Sequence, residues 1–126
     1  MSAPQAAPRR SMLVVCRTAP YGRSRARDAL DVAMAFAAFD QPVTLLFLGD
    51  GVLALASGQR PAPEFSRSLD KLLGTLADYG IEEVHADAAA LAARGLDAQA
   101  LALPVRLAGP VELRELFAAH ERVLTV

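Results

Sequence analysis

Cys16 is the only thiol in the chain, so any thiol chemistry of its own would have to use that side chain. A cysteine becomes a useful nucleophile when it is exposed and when a positive charge or a helix N-terminus favours its thiolate. Cys16 instead ends the apolar run Met12–Cys16, which is typical of a strand buried on both faces. The sequence favours a small core side chain, and a reactive thiol activated by the neighbouring Arg17 is the alternative.

The two histidines, His85 and His120, stand far apart in the sequence. Neither has a second ligand at a spacing typical of metal sites, and no Ser–His–acid set can be assembled from local motifs. We therefore predict no metal site, no cofactor and no catalytic residue in this chain.

The segment Gly49–Ala54 matches the dinucleotide pattern G-x-G-x-x-G/A after a predicted strand, with Asp70 placed about 20 residues further on. Three features weaken the match: Asp50 would lie beside a pyrophosphate, Asp70 falls inside a predicted helix, and the motif follows the second strand rather than the first. A plain strand-to-helix turn is favoured, and a nucleotide- or anion-binding module is a further alternative.

A basic cluster follows the first predicted strand, where α/β proteins usually place their sites. It consists of Arg17, Arg23 and Arg27, with Arg25 between the last two. These side chains either contact an anion or an acidic partner, or belong to a solvated helix start.

Hydrophobic patterning places these residues on alternating strands and helices. Apolar runs predict strands at Met12–Cys16 and Val43–Leu48, and weaker patterns predict strands at Glu83–Ala86, Leu101–Val105 and Arg122–Val126. Helical spacing is found at Arg23–Phe39, Phe65–Leu76, Ala88–Arg94 and Pro110–His120, with Asp87 as the N-cap of the third helix. The alternation predicts one Rossmann-like three-layer α/β/α domain with a mostly parallel sheet of about five strands.

The helix predicted at Arg23–Phe39 carries apolar side chains on two sides. Its second stripe consists of Val32, Ala35, Phe36 and Phe39. A helix that covers a sheet in a lone domain has one face in water, so this stripe is either covered by a neighbouring segment of the chain or forms a subunit interface.

Length and composition exclude several classes of protein. The chain has 126 residues, 53% of them hydrophobic, which suits one domain at residues 11–126 preceded by a disordered tail at residues 1–10. The formal net charge of −1 argues against direct nucleic-acid binding. No apolar run approaches the roughly 20 residues that span a bilayer, and the run at Met12–Cys16 is too short for a signal peptide, so a cytoplasmic protein without membrane contact is expected.

Several short motifs, in this order and spacing, resemble the TusC/DsrF subunits of the DsrE-like superfamily over about residues 11–126. The motifs are Thr18-Ala19-Pro20-Tyr21-Gly22, Ala29-Leu30-Asp31, Phe47-Leu48-Gly49-Asp50-Gly51-Val52, Gly58-Gln59 and Ala93-Arg94-Gly95-Leu96-Asp97. The resemblance implies a subunit of a sulfur-relay complex that assembles with TusB-like and TusD-like subunits.

The resemblance also assigns a meaning to Asp87. Alignment on Arg94-Gly95 places Asp87 where the active TusD/DsrE-type subunits carry their sulfur-accepting cysteine, and an aspartate cannot hold a sulfane sulfur. The implied role is a non-catalytic subunit of a heterohexamer that receives sulfur from a TusA-like donor and passes it through a TusE-like acceptor toward 2-thiolation of wobble uridine in tRNA. The alternatives are a DsrF-like role in dissimilatory sulfur oxidation and a stand-alone sulfurtransferase that uses Cys16, with Arg17 as its activating charge.

Overall fold

The computed structural model describes residues 11–19, 25–56 and 69–126. The described strands are β1 (Met12–Cys16), β2 (Val43–Phe47), β3 (Glu83–Asp87), β4 (Arg106–Ala108) and β5 (Arg122–Thr125), and the α-helices are α1 (Arg25–Ala38), α2 (Leu69–Gly74), α3 (Ala88–Ala93) and α4 (Pro110–Ala119). Short 3-10 helices lie at Gly49–Leu55, Leu76–Tyr79 and Ala98–Ala100. The predicted tail at residues 1–10 lies outside the described residues.

The five strands form one parallel sheet in the order β4-β3-β2-β1-β5. The prediction of a mostly parallel sheet between helices is therefore confirmed. Every residue of β1 and β2 is buried, as their uninterrupted apolar runs indicate.

Strand order explains how the helices divide between the two faces. The connections from β1 through β4 all step in one direction across the sheet, and right-handed crossovers then place α1, α2 and α3 on one face. The last connection runs back from β4 to β5 and places α4 on the other face. Accordingly Val14, Leu45 and Leu30 belong to a large core under α1–α3. A small core consists of Leu13, Val15 and Leu46, against which Leu48 and the α4 side chains Leu113 and Leu116 pack.

The strand predicted at Leu101–Val105 is wrong, because β4 begins only at Arg106. Leu101 instead forms an isolated antiparallel bridge with Ala56, and the Ala102 N–H donates to the Leu55 carbonyl at 2.9 Å. Leu101, Leu103 and Val105 are partly buried against the large core. These residues are therefore apolar because they belong to a packed connecting segment. Alternating apolar residues occur in such segments as well as in strands, so the sequence pattern does not distinguish the two.

The predicted helix at Phe65–Leu76 is observed only in part. In the described residues α2 covers Leu69–Gly74, a 3-10 turn covers Leu76–Tyr79, and Gly80 ends it with φ +85° as a C-cap glycine would. Residues 57–68 lie outside the described part of the chain. None of the described helices is long and apolar enough to cross a membrane.

Candidate functional site

Several of the residues that the sequence analysis singled out lie at the carboxyl end of the sheet. Cys16 pairs with Phe47 in the sheet register, Phe47 pairs with Ala86, and Asp87 pairs with Ala108. Because parallel strands all end at the same edge, Cys16, the Gly49–Leu55 helix and Asp87 lie along one rim of the molecule. This rim is the position at which open α/β sheets usually place a site.

Asp87 is the last residue of β3 and caps α3. Its Oδ1 accepts a hydrogen bond from the Ala90 N–H at 3.3 Å, and its extended backbone (φ −64°, ψ 109°) is that of an N-cap residue. Gly95, with φ +68°, follows the end of the same helix. The predicted cap is therefore confirmed, and the carboxylate satisfies a backbone donor that would otherwise lack a partner.

Arg94 connects α3 to the turn after β2. Its Nη2 lies 2.6 Å from Asp50 Oδ1, while its Nη1 donates to the Ala90 carbonyl at 3.0 Å. Sequence reasoning considered Asp50 only as part of a dinucleotide motif and missed this ion pair, since its partner lies 44 residues away. The pair joins the Gly49–Leu55 helix to the helix that Asp87 caps.

The geometry of the Gly49–Ala54 turn does not suit a pyrophosphate. The turn continues into a 3-10 helix, not an α-helix, and the Asp50 carboxylate faces Arg94. Gly51 is packed so closely on β1 that an added Cβ would overlap the Cys16 carbonyl oxygen. Gly51 therefore allows the backbone of this turn to contact the backbone at the end of β1, and the turn is best described as a plain strand-to-helix connection.

Cys16 is fully buried at the end of β1. Its Sγ lies 3.7 Å from the Thr18 carbonyl oxygen, and burial raises the pKa of the thiol, with that weak hydrogen bond opposing the change. A buried thiol with a raised pKa holds little thiolate at neutral pH, which is the opposite of what a sulfur carrier requires. The interpretation of Cys16 as a core side chain agrees with this environment.

Stability should depend on pH through Cys16. Because burial raises the pKa of its thiol, the folded chain keeps a proton that the unfolded chain releases, so this contribution is complete below the unfolded pKa and is lost as pH rises toward the folded pKa. We expect the free energy of unfolding to fall more between about pH 7 and about pH 9.5 in wild type than in Cys16→Ala. Urea midpoints at both pH values measure this difference, and equal losses in the two proteins would contradict it.

The predicted arginine cluster is only partly described. Arg17 is exposed just after β1, Arg27 is partly buried on α1, and Arg23 lies outside the described residues. An anion contact by these three side chains therefore stays a prediction.

The second apolar stripe of α1 is divided between core and solvent. Val32 and Phe36 are partly buried, and Phe36 packs against the large core, whereas Ala35 is exposed. Phe39, just beyond the end of α1, is 78% exposed. With Met12 and Gln41, Phe36 and Phe39 line a shallow cleft of about 220 Å³. Among the described residues, Ala35 and Phe39 are thus the exposed end of the stripe, and a subunit interface there stays a prediction.

The histidines lie on the α4 side of the sheet. Nε2 of His85 lies 3.4 Å from Glu83, and His120 links α4 to β2 through hydrogen bonds to Leu116 and Thr44. Within residues 11–19, 25–56 and 69–126, no group of three His, Cys, Asp or Glu side chains is arranged to hold a metal ion.

Comparisons with known proteins define the family. The model of the DsrE/DsrF-like family matches residues 10–126. A TusC homolog from Pseudomonas aeruginosa is 39% identical over 116 residues, which cover 92% of this chain and 98% of that protein. The intracellular sulfur oxidation protein DsrF from Allochromatium vinosum is 42% identical over 80 residues, covering 64% of this chain and 59% of that protein.

A solved structure shows the same fold. The YchN protein from Escherichia coli superposes with a TM-score of 0.80 at 24% identity, covering 93% of this chain and 99% of that one. At this identity the likeness concerns the fold alone. The family match over nearly the whole chain and the similarity to a full-length TusC homolog show that this chain belongs to the DsrE/DsrF-like family.

Proposed function

We propose that this chain is a non-catalytic, TusC-like subunit of a cytoplasmic sulfur-relay complex. The similarity to TusC and DsrF proteins supports a place in the relay. The state of its thiol supports a non-catalytic role, because the single cysteine is fully buried and burial raises its pKa. Of these observations, the buried thiol carries the proposal.

Asp87 supports the same division of labour. The motif resemblance places it at the position of the sulfur-accepting cysteine of active relatives, and in this chain the side chain caps α3. An aspartate satisfies the helix end as a cysteine thiolate would, but its carboxylate cannot form a persulfide bond. In this proposal a TusD-like subunit carries the sulfur that a TusA-like donor supplies and a TusE-like acceptor receives.

The destination of the sulfur separates two versions of the proposal. The favoured version is 2-thiolation of wobble uridine in tRNA, which the fuller coverage of the TusC homolog supports. The second is dissimilatory sulfur oxidation, supported by the 42% identity to DsrF over a shorter region. A stand-alone sulfurtransferase is disfavoured, since a sulfur donor would have to reach a thiol with no exposed surface.

Assembly with related subunits tests the proposal. Co-expression with TusB-like and TusD-like proteins from the same genome should yield a complex containing two copies of each subunit, measured by size-exclusion chromatography with light scattering. The chain expressed alone should self-associate or be poorly soluble, because it exposes Phe39 and other apolar side chains. A well-behaved monomer with no affinity for either protein would contradict the proposal.

The same complex allows the role of the thiol to be measured. After incubation with a sulfur donor, intact-mass analysis should find added sulfur on the TusD-like subunit and none on this chain. A gain of one sulfur atom on Cys16 would support the stand-alone sulfurtransferase instead.

A further inference from the structure

In the described part of the chain, the two faces of the sheet carry different numbers of helices. One ten-residue helix, α4, crosses one face, whereas the three α-helices α1, α2 and α3 cover the opposite face. Six large hydrophobic side chains are exposed in the described part of the chain, and four of them belong to β4, α4 and β5. These four are Leu107, Val111, Phe117 and Val123, between 38% and 52% exposed. Exposed apolar area concentrated on one side of a molecule is typical of a surface that another protein covers.

A cleft of about 500 Å³ lies between α4 and the strands β2, β3 and β4. We call it the α4 cleft; its apolar lining includes Leu107, Leu116 and Ala119. One wall is fixed by His120, whose Nδ1 lies 2.7 Å from the Leu116 carbonyl oxygen and whose Nε2 lies 2.9 Å from Thr44 Oγ1. Because a carbonyl only accepts, Nδ1 carries the hydrogen of the first bond, and the second bond joins Nε2 to the Thr44 hydroxyl. The α4 cleft is therefore anchored to buried Thr44 on β2.

Among the described residues that line the α4 cleft, besides the imidazoles of His85 and His120, carboxylates outnumber guanidinium groups. Glu83, Glu112 and Glu115 line it together with a single guanidinium, that of Arg106. Two of the carboxylates have partners: Glu83 lies 3.8 Å from Arg106, and Glu112 accepts from the Gly109 N–H at 2.9 Å. Glu115 is exposed and has no hydrogen-bond or ion-pair partner among the described residues.

This charge pattern restricts what can cover the α4 cleft. A purely apolar partner would bury Leu107 and Leu116 favourably, but it would also remove water from the Glu115 carboxylate without replacing it. Such a buried, unpaired charge is strongly unfavourable, because nothing replaces the hydration that it loses. A cationic side chain next to an apolar one offsets this cost and still covers the leucines. An acidic partner would add repulsion to the loss of hydration.

We propose that the α4 cleft docks a segment of a neighbouring subunit in which an arginine or lysine pairs with Glu115 and an adjacent apolar side chain covers Leu107. The proposal rests on the proposed function, because the neighbour is a subunit of the sulfur-relay complex. It assigns this chain a second contact surface, separate from the exposed end of the α1 stripe. The shallow cleft that Phe39 shares with Met12 and Phe36 lies at the amino ends of the strands under α1, on the opposite face of the sheet.

Charge reversal in the co-expressed complex tests the proposal. Glu115→Lys should raise the concentration at which the complex dissociates by on the order of tenfold or more, since it replaces an attractive pair by a repulsive one. Glu121→Lys makes the same change in charge at another exposed glutamate, outside the α4 cleft, and should shift dissociation by less than about twofold. Leu107→Ser, compared with Tyr79→Ser at an equally exposed position outside the α4 cleft, tests the apolar half of the contact.

Light scattering over a dilution series gives the dissociation midpoints, and thermal unfolding checks that each variant folds. Assembly that is weakened by Glu115→Lys and Leu107→Ser but not by their controls supports docking in the α4 cleft. If wild type assembles and Glu115→Lys assembles equally well, the cleft proposal is overturned while the proposed function stands. If wild type forms no complex with the related subunits, both are overturned.

Discussion

Gly51→Ala is expected to lower the free energy of unfolding by about 3 kcal/mol or to prevent folding. Gly51 is buried at the point where the Gly49–Leu55 helix passes over the end of β1. An alanine Cβ would overlap the Cys16 carbonyl oxygen and lie 2.7 Å from its carbonyl carbon and 3.2 Å from the Arg17 Cα. All three atoms are backbone, so no side chain can rotate away to make room.

Relief of that overlap would have to separate β1 from the turn after β2. The Cys16 carbonyl already accepts a hydrogen bond from the Leu48 N–H at 2.9 Å, and the Gly51 N–H donates to the Leu48 carbonyl at 2.9 Å. A shift at Gly51 therefore strains both bonds at the rim that carries Asp50. In a domain of this size a loss of about 3 kcal/mol corresponds to a decrease in Tm of roughly 10 °C.

Gly74→Ala is the matched control. Gly74 is the last residue of α2, and an added Cβ there would meet no atom within 4 Å. Alanine favours helix by up to about 1 kcal/mol relative to glycine, so Gly74→Ala should be neutral or slightly stabilising. Thermal unfolding followed by far-UV circular dichroism compares the two variants. Equal Tm values would show that the turn moves away from β1 without cost.

Two phenylalanines should separate folding from assembly. Phe47 is fully buried in the central strand β2, and Phe47→Ala should cost about 3–5 kcal/mol because it removes a large apolar side chain and leaves a cavity. Phe39 is 78% exposed, and Phe39→Ala should change stability by no more than about 0.5 kcal/mol. The same substitution should therefore strongly lower the stability of the fold at Phe47 and leave it almost unchanged at Phe39, although only one turn and one strand separate the two positions.

Phe39→Ala should nevertheless weaken the complex if the exposed end of the α1 stripe is an interface. Denaturant unfolding of the isolated chain gives the stability of each variant, and the dissociation midpoint of the co-expressed complex gives the effect on assembly. A Phe39→Ala protein that is as stable as wild type and less able to assemble would support the interface. Unchanged assembly would contradict an interface at Phe39, whose side chain would then only line the shallow cleft that it shares with Met12 and Phe36.

The two proposed contact surfaces have different physical characters. The exposed end of the α1 stripe is apolar, so contacts there should depend little on ionic strength. The α4 cleft is lined by both leucines and carboxylates, and its contribution to the stability of the complex should weaken as salt screens the Glu115 charge. Salt dependence of dissociation, measured in wild type and in Phe39→Ala, therefore indicates how much each surface contributes. Both lie outside the rim that holds Cys16 and Asp87, consistent with a subunit that contributes to assembly and not to the sulfur bond.

Local patterns determined much of this molecule in advance. The apolar run at Met12–Cys16 became β1, and the run at Val43–Leu48 became β2 up to Phe47. Pro110 begins α4, because its fixed backbone angle suits a first helical position. Asp87 and Gly95 bracket α3 as their capping preferences predict. These features depend on residues within a few positions of one another, and for that reason the sequence alone is enough to predict them.

The remaining features were decided by the tertiary structure, because they depend on contacts between residues that are far apart in the sequence. The residues of the Asp50–Arg94 pair are 44 positions apart and those of the Thr44–His120 hydrogen bond 76, so no local sequence pattern predicts either contact. The position of β4 depended on pairing with β3, and Leu101 packs as a connecting segment instead. Strand order had the largest consequence. Because β5 pairs beside β1, the final crossover reverses direction and places α4, alone among the described α-helices, on the second face of the sheet, where the α4 cleft lies.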